Sequence, residues 1–191
     1  TTIIDFATPL SESFVVEVLG DRLGREVGFE FDRDRGLVEK VTARTLDGIR
    51  IDESRASVSS EDRGAAADCM LDAIERGDAS IPGWTDDVDA FIARVEHVAT
   101  WFPDKGISPF QPDDLQVLRA EIVGGRHRLA DFPGPGRTLE IVRSGLDWSE
   151  LDFVERLAPP RLSLGGGRFV GLARRRGAPP RGAARTGDLL G

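Results

Sequence analysis

A helix that must stop at a double proline and pass directly into a glycine-turned hairpin is the tightest constraint in this chain. The stretch LDWSELDFVERLAPPRLSLGGGRFV runs from Leu146 to Val170. Asp147 is placed to cap a helix, with Glu150 three residues on to complete a capping box. Trp148, Leu151, Val154 and Leu157 then fall at helical spacing and predict one buried stripe. Pro159 and Pro160 donate no backbone hydrogen bond, so the helix ends there. Arg161 to Leu164 alternates polar and apolar, Gly165 to Gly167 makes a turn, and Arg168 to Leu172 returns as a strand. Beyond it the chain is basic and rich in Pro and Gly.

Upstream, the pattern divides in two. Thr2 to Phe6 reads as an opening strand, and Thr8-Pro9 as a helix start leading to the stripe Leu10, Phe14 and Val18. Val27, Phe29 and Phe31 alternate with Glu26, Gly28 and Glu30, which predicts a strand with one wet face. Leu37 to Leu46 is a second strand. Asp47-Gly48 is a two-residue hairpin turn, and Ile49 to Asp52 is the third strand. From Ser60 the period becomes helical. Ala66, Cys69, Met70, Ala73 and Ile74 share one face. Thr85 opens the clearest helix, whose apolar face runs through Val88, Phe91, Ile92, Val95, Ala99 and Phe102; Pro112 opens another, and Arg137 to Ser144 fits a third.

The expected fold class is therefore α+β: a small antiparallel meander, a helical subdomain and a C-terminal β-hairpin. The divisions fall at 1–58, 59–158 and 159–191. The chain lacks an initiator Met and opens on a strand, which reads as a piece of a longer protein.

Charge sharpens the division. Residues 161–191 carry seven Arg and one Asp, a net of +6, which leaves −14 for residues 1–160 out of the total of −8. An acidic body does not suit a general nucleic-acid binder, but the basic end can form a local contact surface. No apolar run approaches the ~20 residues of a membrane span. Cys69 is the only cysteine, which excludes an internal disulfide and suits the cytoplasm.

Catalytic signatures are missing. Lys40 and Lys105 are the only lysines, and neither follows a phosphate-binding glycine loop. The glycine run 165–167 opens a strand rather than a helix. His97 and His127 lie far apart, and His97 is expected on the polar, solvated side of its helix. Cys69 lies on an apolar stripe, as a core residue rather than a nucleophile. The acid pairs Asp86-Asp87 and Asp113-Asp114 stand in first helical turns, where the dipole favours them in any case. No catalytic, metal or ATP-binding residue is assigned.

The order of these features resembles a known family. The segments "ATPLSESFVVEVLGDRL", "IPGWTDDVDAFIARVEHV", "GISPFQPDDL", "LAPPRLSL", "GGGR" and "GAPPRGAAR" and a closing "DLLG" are similar, in this order, to the C-terminal region of the HrpB-type bacterial ATP-dependent helicases of the DEAH-box RNA helicase group. The resemblance covers nearly the whole chain. It implies that the meander belongs to an OB-like barrel. It also implies that the ATPase motifs, with ATP and Mg as cofactors of the parent, lie outside this chain. The implied partners are the helicase core domains of the same polypeptide and, as a candidate, single-stranded RNA.

Two functions compete on this reading. In the first, the chain is a non-catalytic accessory region that braces the helicase core and guides RNA. Arg168, Arg174, Arg175, Arg176, Arg181 and Arg185 would then face phosphates, and Phe169 would stack on bases. Trp148 fits the helical stripe and is expected to be buried. In the second, the acidic body is a protein-interaction module without RNA contact. The basic end is then a solvated tail or a partner for acidic surface in cis.

Overall fold

The computed structural model describes residues 17–164, 168–175 and 178–182. The opening strand, the Thr8-Pro9 helix start, the turn 165–167, Arg176 and Arg185 lie outside them. The fold is α+β. Strands β1 (Leu23–Asp32), β2 (Leu37–Leu46) and β3 (Ile49–Ala56) form an antiparallel meander. Five helices follow: α1 (Arg63–Glu75), α2 (Asp86–Trp101), α3 (Pro112–Val123), α4 (Pro135–Arg143) and α5 (Trp148–Leu157). Strands β4 (Arg161–Leu164), β5 (Arg168–Arg175) and β6 (Ala178–Gly182) close the described chain as a second antiparallel sheet.

The turns follow their chemistry. Asp47 and Gly48 both take positive φ, 51° and 80°, as a tight hairpin needs. Asp32 Oδ1 accepts from the amides of Asp34 and Arg35 and shapes the turn between β1 and β2. Among the described residues the three strands form an open sheet, without closing into the barrel that the resemblance implies.

The meander uses both faces. Val38 of β2 faces the helices and joins their core, and Phe29 and Phe31 of β1 pack beside it. The opposite face, expected to be wet, is roofed. Val41, Ala43 and Thr45 lie 2%, 1% and 3% exposed along β2. Over this strip Arg50 and Arg55 of β3 reach across to Glu30 of β1, at 3.1 and 2.8 Å. The hydrogen bond from Arg50, and after it that from Arg55, holds the Glu30 carboxyl below the ordinary carboxylate range.

α2 is the central helix. It packs on α4, α5 and β5, and buries Val88, Phe91, Ile92, Val95 and Val98. This explains why His97 is buried rather than solvated. The helix is covered on more than its apolar stripe, and the imidazole stacks on Trp101 with centroids 4.8 Å apart. α1 lies on β1 and β2. A β-bridge joins the meander to the loop after α3: Leu37 bridges Arg128, Val38 N donates to His127 O at 2.8 Å, and Leu129 N donates to Gly36 O at 2.9 Å.

The loop before α2 packs to the limit. A Cβ on Gly83 would collide with Thr138 Oγ1 and with the carbonyl of Pro133, and Thr138 is fully buried. Backbone cannot swing aside as a long side chain can. Gly83→Ala is therefore expected to cost about 2–3 kcal/mol, read as a lowered urea midpoint with an unchanged slope.

Candidate nucleic-acid interface

The end of α5 builds the site. The capping box forms as the sequence predicts: Asp147 Oδ1 accepts from Glu150 N at 2.8 Å, and Glu150 Oε2 accepts from Asp147 N at 2.9 Å. Trp148 does not join the buried stripe and is 83% exposed. It is the first helical residue, and side chains on a helix lean toward the N-terminus. Its ring therefore projects off the end, and full burial begins only at Val154.

At the other end, the two prolines leave the last carbonyls of α5 without helical donors. Two arginines from distant elements supply them. Ala158 O accepts from Arg94 Nε of α2 and from Arg174 Nη1 of β5, both at 2.5 Å. Arg94 also pairs with Glu155 at 2.6 Å, and Arg143 of α4 pairs with the same carboxylate at 2.9 Å. The guanidiniums of Arg94 and Arg143 lie over the Phe91 ring, 5.7 and 5.5 Å from its centroid. Positive charge at a helix C-terminus is favourable, and here it also fastens the second sheet. Burial, followed by the neighbouring charge of Arg94, pushes the Arg174 pKa down.

β5 is thereby sided. Val170 and Leu172 are half-buried and Arg174 is buried, on the face toward the helices. Phe169 and Gly171 are exposed, and Phe169 keeps 68% of its surface open. Gly171 pairs with Arg161 of β4, and Ala173 pairs with Arg181 of β6. Directly opposed residues share a face. Arg161 and Arg181, both exposed, therefore stand on the outward side with Phe169. Arg161 is the diagonal neighbour of Phe169, since Phe169 opposes Ser163.

The candidates named from sequence therefore separate. Phe169 and Arg181 share one open face, with Arg181 opposite Ala173, four residues along β5 from Phe169. Arg174 is turned inward, because a helix end recruits it, so it is not part of that face. Arg168 and Arg175 lie on β5. Arg161 was missed, since only the strand register reveals its place beside Phe169.

Clefts also lie elsewhere. One of about 740 Å³ runs between β1 and α1, lined by Phe29, Arg33, Cys69, Asp72 and Asp78. Burial pushes the Cys69 thiol up, and its Sγ donates to Phe29 O at 3.3 Å, which suits a core residue. Another, of about 270 Å³, lies between Phe110, Val117 and Leu146. Among the described residues no three His, Cys, Asp or Glu side chains gather as metal ligands, and no helix is long and apolar enough to cross a membrane.

No family model and no curated protein sequence matches the chain. Solved structures do match its fold. The crystal structure of the E. coli DExH-box NTPase HrpB superposes with a TM-score of 0.60 at 17% identity, over 95% of this chain and 22% of that one. The chain has the fold of part of HrpB. A second Escherichia coli structure, of the DEAH/RHA helicase HrpB, gives a TM-score of 0.59 at 17% identity, over 88% of this chain and 22% of its own. The chain thus spans about a fifth of the HrpB structures it matches.

Proposed function

We propose that this chain is a non-catalytic accessory region of an HrpB-type ATP-dependent RNA helicase, and that the outward face of β4–β6 contacts single-stranded RNA. ATP and Mg would be bound by the core domains of that helicase, on which this region docks. The observation that carries the reading is Phe169, open on the sheet face that also carries Arg161 on β4 and Arg181 on β6. An exposed aromatic accepts any base on its π-face, and flanking arginines meet the phosphates on either side. The sheet is held from behind by Arg174, so its open face is presented on a fixed support.

The test is filter binding to a single-stranded RNA at low and at physiological salt. Phe169→Ala is expected to weaken binding about tenfold or more, since one base stack is worth about 1–3 kcal/mol. The thermal melt should not move, because the ring is mostly in water. Arg161→Gln and Arg181→Gln should each flatten the salt dependence. Wild-type failure to bind at low salt, both alone and joined to a helicase core, removes the RNA contact from this reading.

A second reading has its own observation. Val117, 67% exposed, lines the small groove at Phe110 with the carboxylates Asp114 and Glu150, and Trp148, on the same helix as Glu150, is 83% exposed. This acidic, apolar patch suits docking on another protein surface. Loss of core association in Trp148→Ala, with RNA affinity unchanged, favours it.

A further inference from the structure

At the junction of α2, α4, α5 and β5 two guanidiniums share one carboxylate, and a third stands beside them. Glu155 is already shared by Arg94 and Arg143. Arg174 has no carboxylate partner among the described residues, although it is 8% exposed. Its Nη1 donates to Ala158 O, while its buried Nε has no hydrogen-bond partner among the described residues. Arg94, 6% exposed, donates to that same oxygen. Two like charges therefore converge on one carbonyl, and among the described residues the cluster holds two more positive charges than negative ones. Buried charge is normally paired, and a buried donor without a partner is destabilising.

We infer that Arg94 and Arg174 form a receptor for a phosphate oxyanion, which accepts from the open Nε of Arg174 and neutralises the pair. The excess of charge selects the ligand class. A carboxylate would remove one positive charge, whereas a phosphate group carries about −1.5 to −2 near neutral pH. Guanidinium also matches the tetrahedral oxygens in geometry, as ammonium does not. This site lies on the opposite side of β5 from Phe169, so it does not depend on the RNA reading of the outward face.

The experiment is calorimetric titration of the whole chain with inorganic phosphate, against sodium chloride at matched ionic strength, with thermal melts in parallel. One saturable site is expected, with a melting temperature that rises and levels off. Arg174→Gln should abolish the saturable heat. Arg174→Lys keeps the charge but lacks the Nε–H, and should weaken binding about tenfold. Arg137→Gln, an exposed residue of α4 that pairs with Glu140, should leave it unchanged. A response no greater than that to chloride overturns the inference, and so does saturable binding that survives both Arg174 changes. If Arg174→Gln does not fold, the Lys variant decides. Phosphate binding without RNA binding leaves this site standing and removes the outward-face contact; RNA binding without phosphate binding does the reverse.

Discussion

Glu155→Gln is expected to destabilise the protein by about 3 kcal/mol, the lower end of what loss of one partner in a buried ion pair costs. Among the described residues Glu155 is the only acid paired with Arg94 and Arg143, at 2.6 and 2.9 Å, and Arg174 stands beside Arg94. Glutamine preserves the shape but leaves three buried or half-buried cations with no counter-charge. The lower end applies because the Glu155 side chain is itself 34% exposed, so water screens part of the loss. Urea unfolding followed by tryptophan fluorescence would show a lower midpoint and an unchanged slope. Arg174→Met is the informative contrast. It gives up one hydrogen bond to Ala158 but also removes a buried charge without a carboxylate partner. Its stability should stay within about 1 kcal/mol of wild type. Equal damage from both changes would contradict this picture of an overcharged cluster.

Phe91→Ala should have a still larger effect. Phe91 is 2% exposed at the centre of the buried cluster, and its truncation is expected to cost about 3–5 kcal/mol. The ring also faces the guanidiniums of Arg94 and Arg143, which adds about 0.5–1 kcal/mol for each cation–π contact. Against a total stability of about 5–15 kcal/mol, the variant would be near unfolding at room temperature. Phe91→Leu separates the two contributions. It restores most of the volume but no π-face, so it should recover most of the loss and leave a deficit of about 1–2 kcal/mol. Thermal melts of the two variants side by side would read this directly.

Local chemistry was legible in the sequence, and long-range chemistry was not. The Asp47-Gly48 turn, the Asp147–Glu150 box and the helix starts at Asp86 and Pro112 each depend on residues within four positions of one another, and each forms where the pattern put it. Trp148 and His97 were misjudged because periodicity reports which face of a helix is apolar, not how much of that helix its neighbours cover. Trp148 extends past the end of its packing, and His97 sits on a helix enclosed by α4, α5 and β5. For the candidate interface, composition revealed Phe169 and an excess of arginines. It could not tell which arginine faces water. Arg181 and Arg174 look alike in sequence, yet strand register sends one outward and a helix terminus draws the other in. The cluster of Arg94, Arg143 and Glu155 carries no local signal, since its members sit on three different helices.

The bond from Arg94 to Ala158 has a consequence for the order in which the protein is made. Its two ends are 64 residues apart. At about 5–20 residues per second, synthesis of that interval takes on the order of 3–13 s. Throughout it, the Arg94 guanidinium must remain hydrated, because neither Glu155 nor the Ala158 carbonyl yet exists. α2 can form as a helix in that time, but the side of it that bears Arg94 cannot desolvate. Formation of the central helix is thus separated in time from its final burial, and the arrival of α5 and β5 is the event that lets the core close.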